Sequence, residues 1–108
     1  MIIAVDFDGT IVEHAYPEIG KPNIQLIKKL RNLKQNGTKL ILWTCRNNKE
    51  LSEAVAWCHT VGLTFDAVND NLPEIKNSYV NLSNKIYADF YLDDRSLTIQ
   101  DFLRWNLE

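Results

Sequence analysis

Apolar and polar positions alternate along this chain in two rhythms. Short runs with few polar residues, at 1–6, 39–44, 65–68 and 87–92, read as strands. Between them the period changes to that of a helix. After Pro22 and Asn23, residues Leu26, Ile27, Leu30 and Leu33 share one face and Lys28, Lys29, Arg31, Asn32 and Lys34 the other, with Gly37 placed to end the helix as a left-handed cap. Asn47 or Asn48 can cap a second helix with Leu51, Ala54, Val55, Cys58 and Val61 turned inward, closed by Gly62. Ile99, Phe102 and Leu103 suggest a closing helix. Strands alternating with helices predict an α/β fold with a parallel sheet, and the run Leu40-Ile41-Leu42-Trp43 is apolar enough for a strand covered on both faces. Segment 69–84 is polar, carries Pro73, has no clear period and reads as a loop.

A chain of 108 residues, 45% hydrophobic and 24% charged, predicts one domain spanning 1–108. The formal net charge of -2 gives no clear nucleic-acid signal and no broad attraction to an anionic membrane. No apolar run approaches the ~20 residues that cross a bilayer. The first strand begins almost at residue 1, without a basic n-region or a small-residue cleavage site, so a cytoplasmic location is expected. Cys45 and Cys58 are too few and too plainly spaced for a disulfide framework or a zinc site; Cys58 is turned inward on the second helix, and Cys45, beside Thr44, reads as a buried structural thiol, with a reactive thiol as the alternative. Trp43, Trp57 and Trp105 read as packing residues, and His59 as a surface residue of the second helix.

Chemistry concentrates where the first strand ends. In Ile2-Ile3-Ala4-Val5-Asp6-Phe7-Asp8-Gly9-Thr10 an apolar run stops at two carboxylates, which alternation along a strand points the same way while Phe7 turns to the other face. Such a pair repels unless a cation lies between, which suits a hard divalent ion with oxygen ligands such as Mg²⁺. Open parallel sheets bind ligands beyond the carboxyl ends of their strands. Thr44 ends the second strand and Asp93-Asp94 end the fourth, at that same edge.

Asp6-Phe7-Asp8-Gly9-Thr10 matches the D-x-D-G-T signature of the haloacid dehalogenase-like hydrolases. Thr44, Lys85 and Asp93-Asp94 follow in that family's order, and Lys85-Ile86-Tyr87-Ala88-Asp89-Phe90-Tyr91-Leu92-Asp93-Asp94-Arg95 resembles a segment of its small, capless phosphatases. The resemblance implies a three-layer Rossmann-like fold with strand order 3-2-1-4 and no cap domain. It further implies a Mg²⁺-dependent phosphomonoester hydrolase. Asp6 would be the nucleophile and Asp8 the acid and base. Asp6, the Asp8 carbonyl and Asp93 would hold the metal, with Asp94 behind them. Thr44 and Lys85 would bind the phosphoryl group, although Lys76 lies in the same stretch. His14, with Glu13 and Tyr16, falls in the flap that follows the motif; together with Arg46 and Asn69 it is a candidate for leaving-group contacts. Asp89, inside the fourth strand, reads as a structural hydrogen-bond acceptor near the strand start.

A site without a cap predicts an open approach, for a phosphorylated small molecule or for an exposed phosphoester on a larger one. Oligomeric state and physiological substrate have no signature in the sequence. Two other classes combine acids, Thr and metal. A receiver-like phosphoacceptor would carry its reactive acid after the third strand, where this chain offers Asp70, and a catalytically silent module would keep the metal site without turnover.

Overall fold

The order of elements is β1 (Ile2–Val5), α1 (Ile24–Gln35), β2 (Lys39–Leu42), α2 (Asn48–Thr60), β3 (Ala67–Val68), α3 (Pro73–Ser78), β4 (Phe90–Leu92) and α4 (Ile99–Arg104). This is a computed structural model, and it describes residues 1–78, 86–93 and 99–105. The strands form one parallel sheet in the order β3-β2-β1-β4, a Rossmann-like arrangement, so β1 and β2 are internal.

Strand alternation divides the core into two layers. Ile3, Val5, Leu40 and Leu42 join Leu26, Leu30 and Leu33 of α1, Ala54 and Cys58 of α2 and Phe102 of α4. Ala4 and Ile41 face the other way, into a smaller cluster with Leu72 and Ile86 against which Ile75 of α3 packs. Helix α1 starts where the sequence predicts: the Asn23 side chain accepts from the Leu26 N–H at 3.1 Å. Lys29 ties α1 to the last helix by donating to the Phe102 carbonyl at 2.7 Å and to the Trp105 carbonyl. Among the described residues no helix is long and apolar enough to cross a membrane.

β1 (Ile2–Val5) and β2 (Lys39–Leu42) fall inside the expected 1–6 and 39–44 and are slightly shorter, and three further expectations are revised. β3 and β4 are shorter than 65–68 and 87–92, for one shared reason. Asp66 stands opposite Leu40 and its carboxylate accepts the Leu40 N–H at 2.9 Å, while Asp89 stands opposite Ile2 and accepts the Ile2 N–H at 2.6 Å. Each carboxylate takes a donor that a strand carbonyl would otherwise bond, so the ladder ends there. The structural role expected of Asp89 is observed. The third revision is α3, a six-residue helix opened by Pro73 inside the expected loop 69–84.

Candidate active site

The pairing of β1 with β4 sets the geometry. Val5 is in register with Leu92, so Asp6 and Asp93 leave adjacent strands at the same level, and the ladder runs one step further through the Asp6 N–H to the Leu92 carbonyl at 3.0 Å. On the other side Val5 is in register with Leu42, and the Trp43 N–H donates to the Val5 carbonyl at 2.9 Å, which brings Thr44 to the same edge. Asp6, Asp93 and Thr44 therefore share the carboxyl-terminal edge of three neighbouring strands, and the two strands that end in acids are direct neighbours, ~4.8 Å apart in the hydrogen-bonding direction.

The turn after β1 closes on the Phe7 carbonyl, which accepts from the Thr10, Ile11 and Val12 N–H groups at 3.2, 3.0 and 3.2 Å. Gly9 makes that turn possible at φ +84°, a left-handed conformation that other residues rarely adopt. Phe7 is fully buried in the larger core layer, as strand alternation predicts, and meets Trp57 edge-on at 6.0 Å. Asp6 remains near its own turn, with Oδ1 accepting the Phe7 N–H at 2.8 Å. Thr10 is buried, and its hydroxyl has no hydrogen-bond partner among the described residues, so it packs rather than facing the edge.

Asp8 has a different neighbour from Asp6. Its carboxylate is held by Arg46, with Nε donating to Oδ2 and Nη2 to Oδ1, both at 2.8 Å. Arg46 is 2% exposed. Nη2 also donates to the Glu18 carbonyl at 2.9 Å, and Nη1 to those of Pro17 at 3.2 Å and Glu50 at 3.4 Å. A guanidinium has five N–H donors, and these five bonds use all of them. The Phe7 and Tyr16 rings lie 5.0 and 5.1 Å from its Cζ. The Arg46 pKa is raised above its ordinary value, first by the hydrogen bond to Asp8, with desolvation opposing.

The sequence suggested Arg46 for leaving-group contact, and its placement corrects that assignment. A buried guanidinium with every donor engaged cannot reach a substrate without giving up an existing bond. Asn69 is also committed: its N–H donates to the Leu42 carbonyl at 2.7 Å, and its Oδ1 accepts the Thr44 N–H at 2.8 Å, joining the ends of β2 and β3. The Thr44 hydroxyl accepts the Arg46 N–H at 3.1 Å and keeps its own proton to donate. His14 is exposed on the flap. Lys85 and Asp94 lie outside the described residues; Lys76 falls within α3. Cys45 is exposed, against expectation, while Cys58 is buried, its thiol pKa pushed up to about 12 by desolvation.

Among the described residues no group of three or more His, Cys, Asp or Glu side chains is gathered for a cation. Asp6 and Asp93 nevertheless fit Mg²⁺, which commonly takes one or two carboxylates and fills its other positions with water and phosphate oxygens. The Asp8 carboxylate is turned to Arg46, so its backbone carbonyl is the group by which Asp8 would meet such an ion.

No family model and no curated protein matches the chain. Among solved structures, a conserved protein from Bacteroides thetaiotaomicron is similar, with a TM-score of 0.79 and 45% identity over 90% of this chain and 78% of that one. At that identity and coverage, the chain belongs to the same family as this conserved Bacteroides protein.

Proposed function

We propose that this protein is a Mg²⁺-dependent phosphomonoester hydrolase of the haloacid dehalogenase-like type, working through an aspartyl-phosphate. The observation that carries the reading is the level pairing of Asp6 and Asp93 on adjacent strands, with Thr44 at the end of the next strand. Phosphoryl transfer needs an in-line nucleophile, a proton for the leaving oxygen and positive charge around the phosphoryl oxygens.

In this reading an Asp6 carboxylate oxygen forms a bond to phosphorus as the ester P–O bond breaks, and protonated Asp8 gives its proton to the departing oxygen. Water then attacks the aspartyl-phosphate at phosphorus and gives a proton to Asp8, releasing inorganic phosphate and restoring Asp6. Thr44 donates its hydroxyl proton to a phosphoryl oxygen. Bound Mg²⁺ supplies Lewis-acid charge neutralisation at the phosphoryl group.

The receiver-like alternative is less well supported. Asp70 follows β3, an edge strand, whereas Asp6 ends an internal strand. Phosphate release from a panel of phosphomonoesters, with Mg²⁺ and with chelator, tests the proposal. Turnover is expected with Mg²⁺ alone and is lost in Asp6→Asn while circular dichroism stays unchanged. Undiminished turnover in that variant would sink the mechanism.

A further inference from the structure

The Arg46 side chain connects three separate parts of the chain. Its five bonds reach the motif turn through Asp8, the flap through the Pro17 and Glu18 carbonyls, and the first turn of α2 through the Glu50 carbonyl. Residues 13–18 are exposed, and the base of the flap is closed by a short antiparallel pairing around Val12 and Pro22, the Glu13 N–H donating to the Lys21 carbonyl at 2.8 Å and the Asn23 N–H to the Ile11 carbonyl at 2.9 Å. Tyr16 lays its ring over the same guanidinium, so flap and carboxylate meet on one buried cation.

We infer that Arg46 is a positioning residue that fixes Asp8 and the flap as one unit, setting the direction from which Asp8 exchanges its proton with the leaving group. The inference rests on the hydrolase reading for its catalytic half and on geometry alone for its structural half. A fork of two parallel N–H···O bonds fixes both the plane and the direction of a carboxylate. Each Asp8 oxygen keeps a further lone pair through which a proton can pass. Lysine could keep the charge but not the fork or the flap contacts.

A proton donor matters most when the leaving group is a strong base. Phenyl phosphate, whose phenolate is strongly basic, should therefore feel the loss of a well-aimed Asp8 more than p-nitrophenyl phosphate. General acid catalysis contributes ~10²–10⁴-fold, so Arg46→Lys is expected to lower kcat/KM, which reports the step that expels the leaving group, on phenyl phosphate by ~10-fold or more beyond its loss on p-nitrophenyl phosphate. In an Asp8→Asn background, adding Arg46→Lys should bring no further selective loss. Equal losses on the two esters, or a selective loss that persists without Asp8, would overturn the catalytic half.

Amide hydrogen exchange tests the structural half without turnover. Asp8→Asn and Arg46→Lys are both expected to speed exchange at the Glu13 and Glu18 amides, because Asp8 holds the cation that holds the flap. Unchanged flap exchange in Asp8→Asn would overturn the coupling. Absence of phosphate release from either ester by the unmodified protein would instead count against the hydrolase reading and its catalytic half, and flap exchange would still decide the rest.

Discussion

Replacing Arg46 with Met keeps an unbranched apolar stem, removes the charged guanidinium head and leaves its partners without donors. Arg46 is 2% exposed and the Asp8 side chain 14%, so the carboxylate would regain little water. Breaking a buried ion pair from one side costs about 3–5 kcal/mol. Two of the three carbonyls that Arg46 caps belong to exposed flap residues and can turn to solvent, which places the cost at the lower end, about 3 kcal/mol. For a domain of this size that lowers the melting temperature by about 12 °C.

The informative quantity is the coupling with Asp8. Asp8→Asn alone strands the cation against carbonyls, at a cost of about 2 kcal/mol. In the double variant neither charge is left unpaired, so it should be no less stable than Arg46→Met alone, giving a coupling of about 2 kcal/mol. Urea unfolding followed by circular dichroism measures all four corners, and an unchanged m-value confirms that the same transition is compared. Single-variant losses that add to within about 0.5 kcal/mol would refute the reasoning, because the fork would then carry no energy of its own.

Two further perturbations test other parts of the molecule. A Cβ on Gly20 would lie 2.0 Å from the Glu13 carbonyl oxygen, a backbone atom with no rotamer to escape through. Gly20→Ala is therefore expected to open the flap, speeding exchange at the Glu13 amide with only about 1–2 kcal/mol of global loss; unchanged exchange there would refute it. Burial pushes the Cys58 thiol up to about 12, whereas an unfolded thiol titrates near about 8.5. Between those values the native state keeps a proton that the unfolded state has released, so stability falls as pH rises. The stability difference between the natural protein and Cys58→Ala should shrink by about 1.4 kcal/mol from about pH 7.5 to about pH 9.5. A pH-independent difference would show that the thiol does not couple to folding.

Much of this could be read from the chain because it is local. The phase that puts Ile3, Val5 and Phe7 in one core layer is plain in the sequence, as are the Asn23 cap and the breaks at Gly37 and Gly62. The shortening of β3 and β4 was harder to foresee. It requires knowing that Asp66 and Asp89 stand opposite Leu40 and Ile2, and register is a tertiary fact. Helix α3 escaped because six residues are too few to show a period. Its place next to the end of the second strand makes Arg46 a candidate for leaving-group contact in the sequence. The partner that decides its role is 38 residues away, and the remaining acceptors are backbone carbonyls, which leave no trace in side-chain patterns.

Ion pairs of this kind are poor sources of stability. Two matched apolar side chains at the same place often hold a fold as well or better. What an apolar pair cannot do is hold a carboxylate in one orientation beside a second acid while leaving a lone pair open. Precision at the site must then come from a short turn, a flap of about a dozen residues and the strand ends. A side chain with five fixed donors, buried between Phe7 and Tyr16, supplies it with one residue. On this argument the Arg46–Asp8 pair is best explained by the presentation of Asp8, with stability a secondary consequence. The unequal response of two phenolic esters to Arg46→Lys would therefore tell more about the pair than its unfolding free energy does.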